Sequence, residues 1–398
     1  MAEQIVIVGG GQAAGWAAKT LRDSGYRGRV ILVGDESHPP YERPPLSKAV
    51  LTGSRPPESC YLWARERLQA LEVEQRQDPA VAIDRWQHEV RLSSGTRLHY
   101  DKLLLAMGSR PRRLRCTGAD LPGVRYLRTI QDSVEIGQSL HPGEPLLVVG
   151  GGWIGLEVAA SAMSKGVPVI LVESSDRLCG RSLPLALGNY FLELHRGRGV
   201  DVCLNVSHFA LEGRGRLERA VLHDGRSISV SSAVVGIGVE PNIELAKACG
   251  LEVANGIVVD VRARTSDPDI FAAGDVANQP LGSDEGRIRF ESWKNAQDHG
   301  ILAAKAMLGQ EVPKRDIPWF WSDQYDVNFQ MLGIPPSGGR VYQKGATSAG
   351  SFVHYFVRDE RLVSVGAVNS PRDLREAKRV MVDGKPFDPA SLSAVAVN

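Results

Sequence analysis

The sequence predicts an α/β chain built from two similar βαβ units, followed by a smaller α+β region. Three features predict it. A short apolar run, three glycines and a helix-like pattern occur twice, as Ile5-Val6-Ile7-Val8-Gly9-Gly10-Gly11-Gln12-Ala13-Ala14-Gly15 and as Leu146-Leu147-Val148-Val149-Gly150-Gly151-Gly152-Trp153-Ile154-Gly155-Leu156-Glu157. Each copy is followed by a second apolar run that ends in an acid, Val30 to Asp35 and Pro168 to Glu173. Such an internal duplication of βαβ units sets the fold class. Beyond residue 315 aromatic and β-branched residues alternate with polar ones, as in Ser351 to Arg358, which reads as antiparallel strands.

The runs Lys102 to Ala106 and Val234 to Ile237 lack alternation and suit strands buried on both faces of parallel sheets. Ser109 to Arg115 reads as a crossing between domains, and Asp373 to Val382 as a helix. The 398 residues are long for one domain. A formal net charge of +1 argues against a nucleic-acid binder that relies on bulk charge. The N-terminus lacks a basic segment before its first strand and is not expected to be a signal peptide. The most apolar long stretch, Leu146 to Met163, is broken by glycines and Glu157 and makes a poor membrane span. A cytoplasmic location and no membrane partner are therefore expected. The 5 cysteines show no CxxC, and the 9 histidines show no HExxH, so no metal site is expected.

A strand that turns through glycines into a helix presents backbone N–H groups at the helix N-terminus, where a pyrophosphate can bind. The glycine-pattern positions are Gly9, Gly11 and Ala14 in the first copy, and Gly150, Gly152 and Gly155 in the second. The acids that accept hydrogen bonds from a ribose diol are Asp35 and Glu173. Two such sites in one chain suggest a resident flavin dinucleotide and an exchanging nicotinamide dinucleotide. A carboxylate at Glu173 repels the 2′-phosphate of NADP and favours NADH. Arg177 offers a route to NADPH, which the adjacent Asp176 weakens.

Together the loops resemble the flavin-dependent pyridine-nucleotide oxidoreductases related to glutathione reductase. Thr265 to Asp275, ending Ala272-Ala273-Gly274-Asp275, is similar to that family's second flavin motif. Pro40 to Lys48, Pro318 to Tyr325, Gly236 to Asn242 and Phe290 to Ala296 resemble the NADH-dependent ferredoxin reductases. Those enzymes serve bacterial aromatic-ring dioxygenases and some haem-thiolate monooxygenases. The resemblance implies two Rossmann-like dinucleotide-binding domains plus an α+β C-terminal domain. It divides the chain into a discontinuous FAD-binding domain at 1–111 and 237–314, an NAD-binding domain at 112–236, and a C-terminal domain at 315–398. It implies FAD contacts at Gly9, Gly11, Ala13, Ala14, Asp35, Arg43, Pro44, Lys48, Ala80, Arg128, Gly274, Asp275, Ser292 and Trp293. It implies NAD contacts at Gly150, Gly152, Ile154, Gly155, Glu157, Glu173 and Gly238. One departure is Met107, where relatives carry Thr, and no polar role is assigned to it.

Disulfide reductases of the superfamily carry CxxxxC beside the flavin, and relatives that reduce peroxide or oxygen carry one cysteine there. This chain has no cysteine before Cys60 and reads Arg43-Pro44-Pro45-Leu46-Ser47-Lys48 instead. Electrons are then expected to leave the flavin directly, one at a time, to a two-iron two-sulfur ferredoxin of Rieske type. By the same resemblance Lys48 lies near flavin N5 and pairs with Glu157, and the two are the catalytic candidates. The plain alternative is a surface lysine and a solvated helical glutamate. The segment from Ser292 is expected to start a helix aimed at the flavin, with Trp293 contributing backbone. Trp319 and Trp321 share one face of a strand and are either C-terminal core or the electron exit. Basic candidates for ferredoxin docking are Arg110, Arg112, Arg113 and Arg115, or Arg372, Arg375, Lys378 and Arg379. The competing functions are an NADH oxidase, or an NADH-sensing flavoprotein whose role is binding.

Overall fold

The computed structural model describes residues 3–281 and 286–397. The chain forms two compact units. The first comprises residues 1–43, 57–110 and 239–316, and the second residues 44–56, 111–238 and 317–398.

The first unit is built on a parallel sheet in the order Ile270–Ala272, Lys102–Leu105, Gln4–Val8, Arg29–Gly34, Val73–Gln77. Because strand side chains alternate between faces, Ile5, Ile7, Leu32 and Leu104 pack on the alanine-rich faces of the Gln12–Asp23 and Trp293–Met307 helices. Their neighbours Val6, Val8, Ile31, Val33, Leu103 and Leu105 pack on the opposite side with Val90, Leu92 and Leu98. Those last residues belong to a small antiparallel sheet formed by Ala80–Asp84, Glu89–Leu92 and Arg97–His99. Burial on both faces is why the long strands read as unbroken apolar runs.

The second unit repeats this plan. Its parallel sheet runs Asp201–Cys203, Val169–Val172, Leu146–Val149, Ser232–Val235, Val124–Tyr126. A three-stranded antiparallel sheet, Phe209–Glu212, Arg219–Leu222 and Ser227–Ser229, packs on one face. The C-terminal segment adds a six-stranded antiparallel sheet and the Pro371–Asp383 helix. One core joins that sheet to the nucleotide-type half, with Phe329, Met331 and Phe352 packed among Leu156, Leu187 and Phe191.

Residues 44–56, expected within the first domain, group instead with the second unit. The physical reason is local. Leu51 is buried in the same core as Ile136 and Leu156, and the Ser133 hydroxyl donates to the Leu46 carbonyl at 2.7 Å. The expected NAD-binding and C-terminal stretches likewise share one unit.

Candidate functional site

In the first unit the glycine turn opens the Gln12–Asp23 helix. Gly9 has φ +121°, and a Cβ there would lie 2.3 Å from the Ala106 carbonyl oxygen, so only glycine fits. A Cβ at Gly11 would meet nothing within 4 Å, which leaves room for a ligand at the helix N-terminus. Gly274, with φ +79°, packs against Ala13 and Ala296, so the first loop, the second flavin motif and the start of the Trp293–Met307 helix converge. Ser292 caps that helix by accepting from the Asn295 amide at 3.3 Å.

Asp275 sits in a short helical turn right after Gly274. Its carboxylate accepts from the Ser109 hydroxyl at 3.2 Å and lies in the field of Arg43. Arg43 is held by Glu36 at 3.1 Å and by the Tyr41 hydroxyl at 2.8 Å, and sits over the Tyr41 ring. Burial opposes its charge, but Tyr41, Glu36 and Asp275 outweigh that and push its pKa up. Burial also pushes the Glu42 carboxyl up.

Gln12 Nε2 and Oε1, Trp16 Nε1 and Gln297 Oε1 are buried with no protein partner, all in the first two turns of these packed helices. Buried polar groups normally find partners, so these atoms fit a polar ligand such as a dinucleotide. Asp35 lies exposed just past its strand, while Glu36 holds Arg43. Ala80 begins the Ala80–Asp84 strand and packs on the adjoining apolar core.

In the second unit Gly150 has φ +106°, and a Cβ there would lie 2.5 Å from the Gly236 carbonyl oxygen. Gly152 faces open space, its nearest neighbour 3.9 Å from a Cβ. A Cβ at Gly155 would lie 2.0 Å from the Gly150 carbonyl oxygen, so helix and turn are in direct contact. Ile154 is 44% exposed on the first helical turn. Glu173 accepts from the Gly151 amide at 2.6 Å and the Ser175 amide at 2.8 Å. Burial raises its pKa, but these hydrogen bonds prevail and hold it below the usual glutamate range. Arg177 turns back to donate to the Gly180 carbonyl at 3.3 Å. The guanidinium of Arg181, not anticipated, lies 2.9 Å from where a Cβ of Gly238 would be.

Lys48 and Glu157 meet in this unit, with Nζ 2.7 Å from Oε2 and the glutamate side chain only 5% exposed. The Ser47 hydroxyl donates to the same oxygen at 2.5 Å, and the Ser322 hydroxyl donates to Oε1 at 2.6 Å. The family resemblance singled out Lys48 and Glu157 but gave no role to the serines, although both stand in segments that carry it. Arg128 precedes the Ile130–Ser139 helix, its amide donating to Asp132 at 2.9 Å.

Trp319 and Trp321 stack at 4.9 Å on one face of the Trp319–Gln324 strand, as their spacing predicts. Trp319 packs on the C-terminal core, and Trp321 Nε1 donates to Asp323 at 3.2 Å. Met107 packs by its side chain, and its carbonyl accepts from Asn242 at 2.8 Å. Arg110 is committed to Glu240 and Glu244 at 2.8 and 2.7 Å, and Arg113 lies over the Tyr126 ring, which depletes that basic cluster. On the C-terminal helix Arg372, Arg375 and Arg379 form an exposed stripe. Burial pushes up all the cysteine thiols, Cys60 to about 11, so each stays protonated at neutral pH.

Two strand–glycine turn–helix sites, each beside a parallel sheet, define an oxidoreductase that handles two dinucleotides. Residues 3–300 match the family described as pyridine nucleotide-disulphide oxidoreductase, and residues 319–398 match the family described as reductase C-terminal. The chain belongs to the pyridine nucleotide-disulphide oxidoreductase family. It is 40% identical to rhodocoxin reductase of Rhodococcus erythropolis, over 97% of this chain and 91% of that one. It is 38% identical to the ferredoxin–NAD(+) reductase component of the p-cumate 2,3-dioxygenase system of Pseudomonas putida, over 98% and 96%. Among solved structures, the covalent putidaredoxin reductase–putidaredoxin complex matches with a TM-score of 0.95 and 34% identity, covering 98% of this chain and 95% of that one.

Proposed function

We propose that the protein is an FAD-dependent NADH:ferredoxin reductase supplying a two-iron two-sulfur ferredoxin of Rieske type in an aromatic-ring dioxygenase system. The observation that carries this is similarity to ferredoxin–NAD(+) reductases over nearly the whole length, C-terminal segment included. When bound, FAD supplies the conversion of a two-electron hydride donor into single-electron steps. The protein contributes binding and orientation. Backbone amides at Gly11 and Gly152 receive pyrophosphates, and Glu173 accepts from the NADH ribose. Lys48, held by Glu157, is the cation that would favour negative charge on reduced flavin. Ser292 starts a helix whose positive end favours the same charge.

The family description includes a disulphide, yet no cysteine precedes Cys60 and every thiol is held protonated. That supports electrons leaving without a thiol relay. Among the described residues no helix is long and apolar enough to cross a membrane; a cytoplasmic location accords with the absence of any disulfide framework in the sequence. The similarity to rhodocoxin reductase and to the putidaredoxin reductase complex favours a second reading, a ferredoxin that serves a haem-thiolate monooxygenase.

The test is NADH-dependent cytochrome c reduction with Rieske-type ferredoxin, with vertebrate-type ferredoxin, or with neither. Strong dependence on the Rieske-type protein is expected. Turnover without any ferredoxin would return the protein to the NADH oxidases.

A further inference from the structure

A chain of buried polar groups continues beyond Glu157. The Ser322 hydroxyl donates to Glu157 Oε1 at 2.6 Å, and Gln324 Nε2 donates to Ser322 Oγ at 3.0 Å. Gln324 Oε1 therefore faces His195 Nε2, 2.8 Å away. The Tyr325 hydroxyl lies 3.2 Å from His195 Nδ1. Ser322, Gln324 and His195 are each no more than 1% exposed. They occupy positions where an apolar pattern would pack more cheaply, because a buried polar group that loses its partner costs stability. Phe320, Ser322 and Gln324 alternate along one strand, so they share the face opposite the stacked tryptophans.

The chain has one consistent polarity. An amide nitrogen can only donate, so Gln324 must accept through its oxygen, and His195 must carry its proton on Nε2. Nδ1 is then bare and accepts from Tyr325. Burial lowers the His195 pKa to about 4, so the ring is neutral at neutral pH and keeps this tautomer. Every donation points toward the carboxylate. Oε1 is held by the chain, and Oε2 is left for Lys48 and Ser47.

We propose that Ser322, Gln324 and His195 are positioning residues for hydride transfer: they fix the rotation of the Glu157 carboxylate and, through it, Lys48. The C-terminal sheet then takes part in the NADH half-reaction and not only in packing. This rests on the role proposed for Lys48.

The test compares Gln324→Leu, which keeps volume and removes polarity, with Ser322→Ala, each alone and combined with Lys48→Met, in the flavin-loaded protein. Stopped-flow flavin reduction by NADH should slow about fivefold for Gln324→Leu, since a small misplacement of a positioned group costs rate steeply. In the Lys48→Met background Gln324→Leu should add nothing, because the chain acts through Lys48. A readout independent of turnover is the ¹⁵N spectrum. His195 should show the Nε2–H tautomer, and the slowly exchanging Lys48 Nζ signal should be lost in Gln324→Leu. Equal slowing by Gln324→Leu in both backgrounds, or an unchanged Nζ signal, overturns the proposal. If Lys48→Met itself leaves the rate unchanged, the role of Lys48 falls, and the Nζ signal still reports whether the chain positions Glu157. Should Ser322→Ala fail to fold, Gln324→Leu carries the test alone.

Discussion

The two glycine turns begin alike and part at the residue after the third glycine. In the first, that residue is Gln12, whose amide is buried with no protein partner. In the second it is Trp153, stacked on Phe329 at 5.3 Å and packed against Phe191 and Phe320. The first turn leaves polar atoms for its ligand. The second is fastened by aromatic packing to the C-terminal sheet of its own unit. The acids differ in the same sense: Asp35 lies exposed, whereas Glu173 is tied to the turn by the Gly151 amide. A resident cofactor can complete the core around it, while a cofactor that must leave needs a site that holds its shape when empty.

The largest expected effect breaks one turn at a time. Gly9→Ala places a Cβ 2.3 Å from the Ala106 carbonyl oxygen in left-handed backbone, a conformation that alone costs about 1–2 kcal/mol. The purified protein should lose most of its flavin absorbance. Gly150→Ala should retain flavin and lose NADH affinity, measured by titration; flavin loss from both variants would show that the turns are not separable. Next, Lys48→Met should slow NADH-dependent flavin reduction by about 10²-fold with flavin content unchanged, as expected when an oriented charge is removed from a reacting centre. Unchanged stopped-flow rates would return Lys48 to the surface lysines.

The third variant sharpens the contrast between the acids. Glu173→Gln should narrow the preference for NADH over NADPH by about tenfold, near 1.4 kcal/mol, read from the ratio of kcat/KM values. The same residue predicts a pH effect. Its folded pKa lies below the ordinary value of 4.5, so its contribution to stability is complete above that pH and is lost as pH falls through the folded value. Wild-type Tm should fall more steeply than that of Glu173→Gln below this pH. The smallest effect concerns the exposed stripe on the C-terminal helix. Arg375→Glu should raise the KM for an acidic ferredoxin about threefold at low salt and converge with wild type at high salt, since surface charges are screened. A salt-independent KM would rule the stripe out.

Much of the site was legible in advance because its signals are local. The turns are written as short motifs of adjacent residues, and Gly155 is required by a contact with Gly150 in its own turn, while the close approaches at Gly9 and Gly150 come from the distant Ala106 and Gly236. Gly274 and Asp275 stand in a motif long enough to be specific. Lys48 and Glu157 were paired by resemblance, and the tertiary structure places them 2.7 Å apart. Ser47, Ser322 and Gln324 stand in segments that carry the resemblance and His195 does not, but none was given a role, because each is an ordinary polar residue until the fold buries it beside another. Asp35 was chosen by its place at the strand end, and the pairing of the adjacent Glu36 with Arg43 at 3.1 Å is visible only in the fold. Arg110 looked free in sequence and is paired in the fold with Glu240 and Glu244, more than a hundred positions away.

By itself the sequence determined the α/β class, the duplicated unit, the two strand–glycine turn–helix segments, and the lack of a cysteine pair ahead of Lys48. These depend on periodicity and on near neighbours along the chain. Only the tertiary structure decided that residues 44–56 join the second unit, that Trp153 docks on Phe329, and that a strand near residue 320 reaches the carboxylate of Glu157. Those outcomes depend on which apolar faces find each other across long stretches of chain, and pattern along the chain does not carry that information.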